Sequence, residues 1–214
     1  MAVYDLEEQE QIAQIRAWWE RYGNLVVTVL LAAALAFAGW AGWRRYHAGN
    51  AAEAGALYAE LQLVIAAGNA QQAREIAARL TGSYGGTIQA QLGALSSAEV
   101  QFQKNDLDGA RAQLEWAATK GSDVELRELA RLRLATVLLQ QGAVDEALAR
   151  LQPVPTGVWR ARFEDLRGDA LAAQGKGDEA RAAWQAALDA LDVADTDAAP
   201  LRGMIRAKLE SLEG

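Results

Sequence analysis

Few side chains in this sequence could do chemistry. The chain has a single histidine, His47, and no cysteine, which excludes thiol catalysis, disulfides and metal sites built on thiolates or histidine clusters. His47 directly follows the basic pair Arg44 and Arg45, a setting typical of a solvated residue. The sequence also lacks a nucleophile elbow, a phosphate-binding glycine loop and a dinucleotide fingerprint. These observations predict a protein that is not an enzyme and that uses no cofactor.

Two further segments contain residue types that chemistry often uses. Asp192, Asp195 and Asp197 precede a proline, but they lack the spacing of a calcium loop and are interpreted as solvated. Residues 82–86 read GSYGG and are interpreted as a flexible turn between helices. Function must therefore come from surfaces that the fold displays.

The charge of the chain argues against nucleic acid as a partner. The net charge is −7, and residues 1–47 contribute four basic and five acidic side chains, or −1. The rest of the chain therefore carries about −6 and has no basic stripe, so it lacks the electrostatic footing that nucleic-acid binding needs.

One segment is apolar and long enough to span a bilayer. Residues 25–43 read LVVTVLLAAALAFAGWAGW and contain no charge. Nineteen helical residues cover roughly 28 Å, close to the thickness of the hydrocarbon core. Arg44 and Arg45 end the run, and aromatic residues flank it on both sides: Trp18, Trp19 and Tyr22 before it, Trp40, Trp43 and Tyr46 within or after its end. This pattern predicts a transmembrane helix at 25–43.

Two other interpretations of this segment are a buried core helix and a cleaved signal peptide. A signal peptide needs a basic start and a short apolar region, whereas residues 1–20 carry five acidic side chains and only Arg16 as a base. We therefore expect the segment to be retained. Its orientation stays open, because two arginines lie on each side of it.

Small residues recur at spacing four within the predicted span, at Ala34, Ala38 and Gly42. Such a face allows another helix to approach closely and predicts helix packing in the membrane; the alternative is that alanine is abundant everywhere in this chain. Before the span, residues 1–24 form an amphipathic segment, which either lies against a membrane or partner or simply continues the spanning helix. We expect a juxtamembrane linker at 44–52 and a folded domain at 53–214.

The folded domain contains a recurrent turn. A glycine or asparagine is followed five residues later by alanine, at Ala73, Ala110, Ala147 and Ala180, with spacings of 37, 37 and 33 residues. A period near 34 with one helix pair per unit is typical of tetratricopeptide repeats. The predicted fold class is all-α: a single N-terminal transmembrane helix, then a tetratricopeptide-like α-solenoid of about four helix pairs and a C-terminal capping helix at 200–212.

Side-chain size supports this alignment. Small residues stand twelve positions before three of the alanines, and large apolar residues stand four positions after them. The first unit breaks the rule with Leu61 and is interpreted as degenerate. The small residues are Ala98, Ala135 and Gly168, and the large ones are Leu114, Leu151 and Trp184.

Resemblance to tetratricopeptide domains places certain residues of the first helix of each pair along a groove. In this chain the groove is largely apolar, which suits unfolded or hydrophobic segments. The alternative is that another helix of the same chain covers it. The positions are Leu92, Leu95, Glu99 and Phe102 in the second unit and Leu129, Leu132, Thr136 and Leu139 in the third. Of these, Leu92, Leu95, Phe102, Leu132 and Leu139 form the predicted client groove.

The chain resembles the YfgM family, the ancillary subunit of the SecYEG translocon. The resemblance covers nearly the full length and is carried by VYDLEEQEQIAQIRAWWERYGN at 3–24, GWAGWRRYH at 39–47 and GVWRARFEDLRGDALAAQGKGDEARAAWQAA at 157–187. It implies a single-pass type II protein of the bacterial inner membrane, with segment 1–24 cytoplasmic and the repeat domain periplasmic. The implied partners are the SecYEG channel, a PpiD-type membrane-anchored periplasmic chaperone and unfolded polypeptides.

Two functions are consistent with these features. The first is a translocon-associated interaction protein that helps pass newly translocated polypeptides from the channel to periplasmic chaperones. The second is a non-catalytic envelope scaffold that assembles another membrane complex without binding clients.

Overall fold

The structure is a computed structural model that describes residues 2–191 and 198–212. Asp192, Asp195 and Asp197 lie outside the described residues, and within the first helix the side chains of 2–11, 15 and 41–48 are also outside the description. The chain divides into two compact units, Met1–Gly49 and Asn50–Gly214.

The described residues form α-helices and contain no strand, which confirms the all-α prediction. A short 3₁₀ turn at Gly157–Trp159 precedes α7. Residues 44–52, for which the sequence predicted a linker, have helical backbone within α1, and the predicted division into domains stays a prediction. The helices are α1 Ala2–Ala66, α2 Ala70–Ser83, α3 Ile88–Gln103, α4 Leu107–Lys120, α5 Val124–Gln140, α6 Val144–Arg150, α7 Arg160–Ala173, α8 Gly177–Asp189 and α9 Ala199–Ser211.

The first unit contains a helix that is long and apolar enough to cross a membrane. This stretch is Ile12–Trp40, with a mean hydropathy of 1.9 in its most apolar window. Large apolar side chains along it are exposed in the structure, including Leu25, Leu35 and Phe37. From residue 25 to residue 40 this surface carries no charged side chain, and such a surface is stable in lipid rather than in water.

Aromatic side chains lie near both ends of the apolar part of this stretch, which begins at residue 25. The Trp18 ring lies 5.7 Å from that of Tyr22, and the Phe37 ring lies 5.9 Å from that of Trp40. Aromatic rings at the two ends of a span are typical of membrane–water interfaces.

The predicted helix-packing face is partly described. Ala34 and Ala38 are exposed on α1, so neither is used for packing within the first unit. At Gly42 the backbone is helical, but its surroundings lie outside the described part of the chain. The packing role of this face stays a prediction.

The recurrent turn of the second unit has the same backbone conformation in all four repeats. Its first residue has a positive φ each time: 75° at Gly68, 60° at Asn105, 76° at Gly142 and 75° at Gly175. Glycine and asparagine tolerate this left-handed conformation, which ends one helix and starts the next. The prediction of repeated helix–turn–helix units is confirmed, and its sequence signal has a conformational cause.

The alanine that follows each turn is buried in the contact between helices. Ala73, Ala110, Ala147 and Ala180 are completely buried, as are the small residues Ala98 and Ala135 against them. From α2 to α9, helices that follow one another in sequence pack together, and α3 also touches α5, as α5 touches α7. This pattern of neighbour contacts is that of a solenoid.

The first repeat fits Leu61 by a different arrangement. Leu61 is completely buried together with Leu57, Ile76 and Leu80. Room for it comes from Gly93 of the next repeat, where an added Cβ would touch Leu80 and Leu61. The unit therefore forms a packed helix pair in spite of its departure from the small-residue rule.

A buried glutamine joins the second repeat to the third. The Gln91 side chain is completely buried; its amide nitrogen donates to the carbonyls of Ala117 and Asp123, and its oxygen accepts from the Asp123 backbone N–H at 2.9 Å. Gly121 gives it space, because an added Cβ there would overlap the amide group. The Gln91 side chain thus makes three hydrogen bonds that join α3 to the end of α4 and the turn before α5.

Replacing Gln91 by leucine is expected to destabilise the second unit by about 2–3 kcal/mol, because the buried Ala117 carbonyl and the partly buried N–H and carbonyl of Asp123 lose their partner. Urea unfolding of the fragment 50–214, which contains all three core clusters, measures the effect. The exposed Gln140 on α5 provides the control, since Gln140→Leu is expected to change the free energy of unfolding by less than about 0.5 kcal/mol. Equal effects of the two substitutions would contradict the role given to Gln91.

The predicted closing helix is present as α9. Ile205 is completely buried, and Leu201, Leu209 and Leu212 pack on the core formed with α7 and α8. Pro200 lies in the first turn of α9, where a missing N–H costs nothing. The helix covers the apolar face that the last repeat would otherwise expose.

Candidate functional site

A groove runs along the first helices of the first three repeats. It has a volume of about 400 Å³ and is open to solvent. Its walls come from the end of α1, from α3 and from α5, and the first helices α3 and α5 touch each other. The residues that line it are Gln62, Ile65, Leu92, Leu95, Ser96, Glu99, Val100, Gln103, Leu126, Leu129 and Arg133.

The structure brings only part of the predicted groove set into this cavity. Leu92 is half-buried in its wall, and Leu95, which is 4% exposed, forms its floor. Leu95 belongs also to the central core, the cluster of buried apolar side chains that helices α3 to α7 form. Leu132 and Leu139 are half-buried and pack against the central core. Neither of them is among the residues that line the cavity. Their contact with a client stays a prediction.

Residues that the sequence-based groove did not include also line the cavity. Gln62 and Ile65 belong to the first repeat, and Ser96 and Arg133 stand one position after predicted groove residues. The repeat period itself could have identified them. A step of 37 residues leads from Gln62 to Glu99 and from Ser96 to Arg133, because equivalent positions in successive first helices face the same way.

A second, smaller cavity adjoins the groove, and we call it the anchor pocket. Its volume is about 130 Å³, and its apolar walls come from Ala98, Phe102, Leu114 and Val137, with the exposed Thr136 at its edge. Three of these wall residues are almost completely buried core side chains, so the shape of the pocket is set by the packing of α3, α4 and α5. Three of the predicted groove positions, Glu99, Phe102 and Thr136, thus line this pocket.

An ion pair forms part of the wall of both cavities. The Arg133 guanidinium nitrogen lies 3.6 Å from a carboxylate oxygen of Glu99, and both side chains are roughly half-exposed. The Gln103 amide donates to the other Glu99 oxygen at 3.0 Å, and the Gln62 amide approaches the Ser96 hydroxyl at 3.4 Å. Polar groups with unused hydrogen-bonding capacity therefore stand beside apolar walls.

The inner face of the fourth repeat is occupied by the chain itself. The Lys208 ammonium on α9 donates to Asp165 at 2.7 Å and to Asp169 at 2.8 Å, and the Trp184 indole N–H donates to the Asp165 carbonyl at 3.1 Å. Burial alone would lower the pKa of Lys208, but its bonds to the two carboxylates raise that pKa above its ordinary value. Helix α9 of the same chain thus contacts the first helix of the fourth repeat, whereas the cavity along the first three repeats is open to solvent. The client groove of the second and third repeats stays a prediction.

Among the residues that the structure describes, no group of three or more histidine, cysteine or acidic side chains is arranged to hold a metal ion. The arrangement offers apolar surface, a shaped pocket and an ion pair, which are means of binding rather than of catalysis.

The fold and the groove define a membrane-helix protein of the tetratricopeptide repeat-like class. Residues 16–214 match the family described as "Tetratricopeptide repeat-like domain". Three similar proteins carry the name "Ancillary SecYEG translocon subunit". The one from Neisseria gonorrhoeae is 30% identical over 97% of this chain and 98% of its own, and the one from Escherichia coli is 29% identical over 88% and 90%. The protein from Haemophilus influenzae is 29% identical over 80% of this chain and 84% of its own.

The chain belongs to the family of the ancillary SecYEG translocon subunit, the YfgM family. The match to the Neisseria gonorrhoeae protein covers 97% of this chain, so it extends over both the candidate membrane span and the repeat unit.

Proposed function

We propose that this chain is a translocon-associated interaction protein of the bacterial inner membrane, which helps pass newly translocated polypeptides from the SecYEG channel to periplasmic chaperones. The observation that carries the proposal is the open, largely apolar groove along the first three repeats. The printed names of the relatives support the partner, and the exposed apolar stretch Ile12–Trp40 supports the membrane anchor.

The groove is suited to transient contact with unfolded chains. Leucine side chains dominate its apolar walls, while glutamine, serine and a charge pair keep part of its surface hydrated. An emerging polypeptide exposes apolar side chains that a folded protein buries, so a surface of this kind prefers unfolded segments.

Function by this route is passive. A membrane anchor holds the groove near the exit of the channel and thereby raises its effective concentration for a client. Partners in the same membrane, a PpiD-type chaperone among them, would then receive the client by mass action. The groove residues supply binding and no chemical step.

Crosslinking from the predicted packing face tests the association. A photoreactive residue at Ala38 in the full-length chain is expected to crosslink to channel subunits in native membranes. The matched control is Ala36, which lies about 200° around the helix from Ala34 and is exposed like Ala38. Recovery of only lipid or only copies of this chain from Ala38 would contradict the proposal and favour an envelope scaffold without translocon contact.

The proposed topology has its own test, because the chain contains no cysteine and a single introduced one is a unique label. Ser122 is exposed on the repeat unit, and Ala13 is exposed ahead of the predicted transmembrane helix at 25–43. We expect Ser122→Cys, but not Ala13→Cys, to react with a membrane-impermeant maleimide in spheroplasts. Labelling of Ala13→Cys alone would reverse the orientation.

A further inference from the structure

We propose that the anchor pocket binds one apolar side chain, of up to phenyl size, from a client polypeptide held in extended form beside the Glu99–Arg133 ion pair. The inference rests on the proposed function and deepens it, since it names the kind of segment that the groove selects. Phe102, Leu114 and Val137 line this pocket.

The size of the pocket limits the side chain that it can hold. Its volume is about 130 Å³, close to that of an engineered apolar cavity of about 150 Å³ in another protein, which binds benzene. A leucine, isoleucine or phenylalanine side chain fits such a space, whereas alanine would leave most of it empty. Indole is larger than benzene, so tryptophan is expected to fit poorly.

The chemistry of the rim indicates an extended segment rather than a helix. In an extended chain the backbone N–H and C=O groups are unpaired and need partners, while in a helix they are bonded internally. A guanidinium nitrogen of Arg133 and a carboxylate oxygen of Glu99 lie 3.6 Å apart, and both side chains are roughly half-exposed. A carboxylate oxygen and guanidinium N–H groups are therefore available beside the apolar pocket. An acceptor and a donor in this position match the two backbone groups of one anchored residue.

The arrangement also explains why the pocket does not collapse. Ala98 is fixed at the helix–helix contact of its repeat, and Leu114 and Val137 are each 2% exposed in the core. None of them can move into the space without breaking that core. A pre-formed pocket of this kind loses little entropy when a side chain enters it.

The test measures peptide binding to the full-length chain in lipid nanodiscs by fluorescence anisotropy. The probes are labelled glycine- and serine-rich 11-residue peptides that differ only at the central residue, which is phenylalanine, leucine, tryptophan or alanine. The phenylalanine and leucine peptides are expected to bind at least about tenfold more tightly than the alanine peptide. Equal affinity of all four peptides would overturn the pocket and leave general client binding intact.

A variant that fills the pocket tests whether the preference for phenylalanine over alanine arises there. Thr136→Phe places a ring at the edge of the pocket and is expected to abolish the discrimination between phenylalanine and alanine. Thr119→Phe is the matched control, because Thr119 is also exposed and its hydroxyl also donates to a carbonyl four residues earlier, as that of Thr136 does. Loss of the preference in both variants, or in neither, would place the binding elsewhere and overturn the proposal.

Two further probes separate this proposal from the function on which it rests. An alanine-rich helical version of the phenylalanine peptide that binds more tightly than the extended one would identify a partner's helix as the occupant and overturn the extended-client proposal. Reduced, carboxymethylated α-lactalbumin serves as a general unfolded client. If neither it nor any peptide binds, both the pocket and the client-binding function are wrong.

Discussion

Replacing Lys208 by methionine is expected to lower the free energy of unfolding by about 3 kcal/mol at pH 7, because it leaves a buried carboxylate without its cation. Asp165 has a side chain that is 12% exposed, and both it and Asp169 bond to the Lys208 ammonium. Methionine keeps most of the apolar stem that packs in α9, so the loss isolates the charge. Urea unfolding of the fragment 50–214 measures it.

The pH dependence gives this prediction a signature that simple loss of packing would not produce. The pKa of Lys208 is raised in the folded state. The charged lysine therefore adds its full stabilisation to the free energy of unfolding below about pH 10.4, the ordinary lysine value. This stabilisation is lost as the pH rises through the folded pKa. Burial raises the pKa of Asp165, and Lys208 offsets this only in part. In Lys208→Met that offset is absent, so the deficit relative to the wild type is expected to shrink as the pH falls from 7 towards 4.

Arg206 supplies the control on the same helix. It is exposed, and Arg206→Met is expected to change stability by less than about 0.5 kcal/mol without a pH dependence of this shape. A deficit of Lys208→Met that stays constant from pH 4 to pH 7 would show that the ion pair is not its cause.

The second large effect is expected from Gly168→Ala, which should destabilise the unit by about 2–3 kcal/mol. A Cβ at this position of α7 would lie under 3 Å from several atoms of the Trp184 ring. That ring cannot withdraw easily, because it is 4% exposed and its N–H donates to the Asp165 carbonyl. Overlap with a fixed ring therefore outweighs the gain of about 1 kcal/mol that alanine has over glycine inside a helix.

Gly203 on α9 is a matched glycine without that constraint. It is exposed, and an added Cβ would have open space around it. Gly203→Ala is therefore expected to stabilise the fragment by about 0.5–1 kcal/mol, so the two substitutions should have opposite signs in the same unfolding measurement. In the double variant Gly168→Ala/Trp184→Leu, the two effects should be strongly non-additive; additive effects would contradict the overlap.

Local signals in the sequence predicted the repeat unit well, because each signal has a local physical cause. Glycine or asparagine at the start of each turn reflects a left-handed residue, and the alanine five positions later reflects a close helix–helix contact. The apolar stretch at the N-terminus follows in the same way from the thickness of a bilayer. Such features depend on a residue and its near neighbours, so one sequence is enough to identify them.

Polar residues inside the solenoid were not predictable in this manner. Gln91 and Arg131 occupy first-helix positions that could equally be solvated, yet Gln91 is completely buried, and Arg131 donates to the carbonyls of Arg150 and Pro153. Their partners lie 19 to 32 residues away in sequence. Whether such a side chain is satisfied depends on the turn that the next repeat brings to it.

For this chain, then, composition and spacing were sufficient for the helices, their repeat and the apolar anchor stretch, since those follow from backbone conformation and from the side-chain period. Composition and spacing were not sufficient to identify the residues that line the groove. Leu92 and Leu139 are both leucines of equivalent first helices, but Leu92 lines the open cavity and Leu139 packs against the core. Only the packing of α3, α4 and α5 decides which apolar side chain lines the cavity, because a cavity is the space that several helices leave between them.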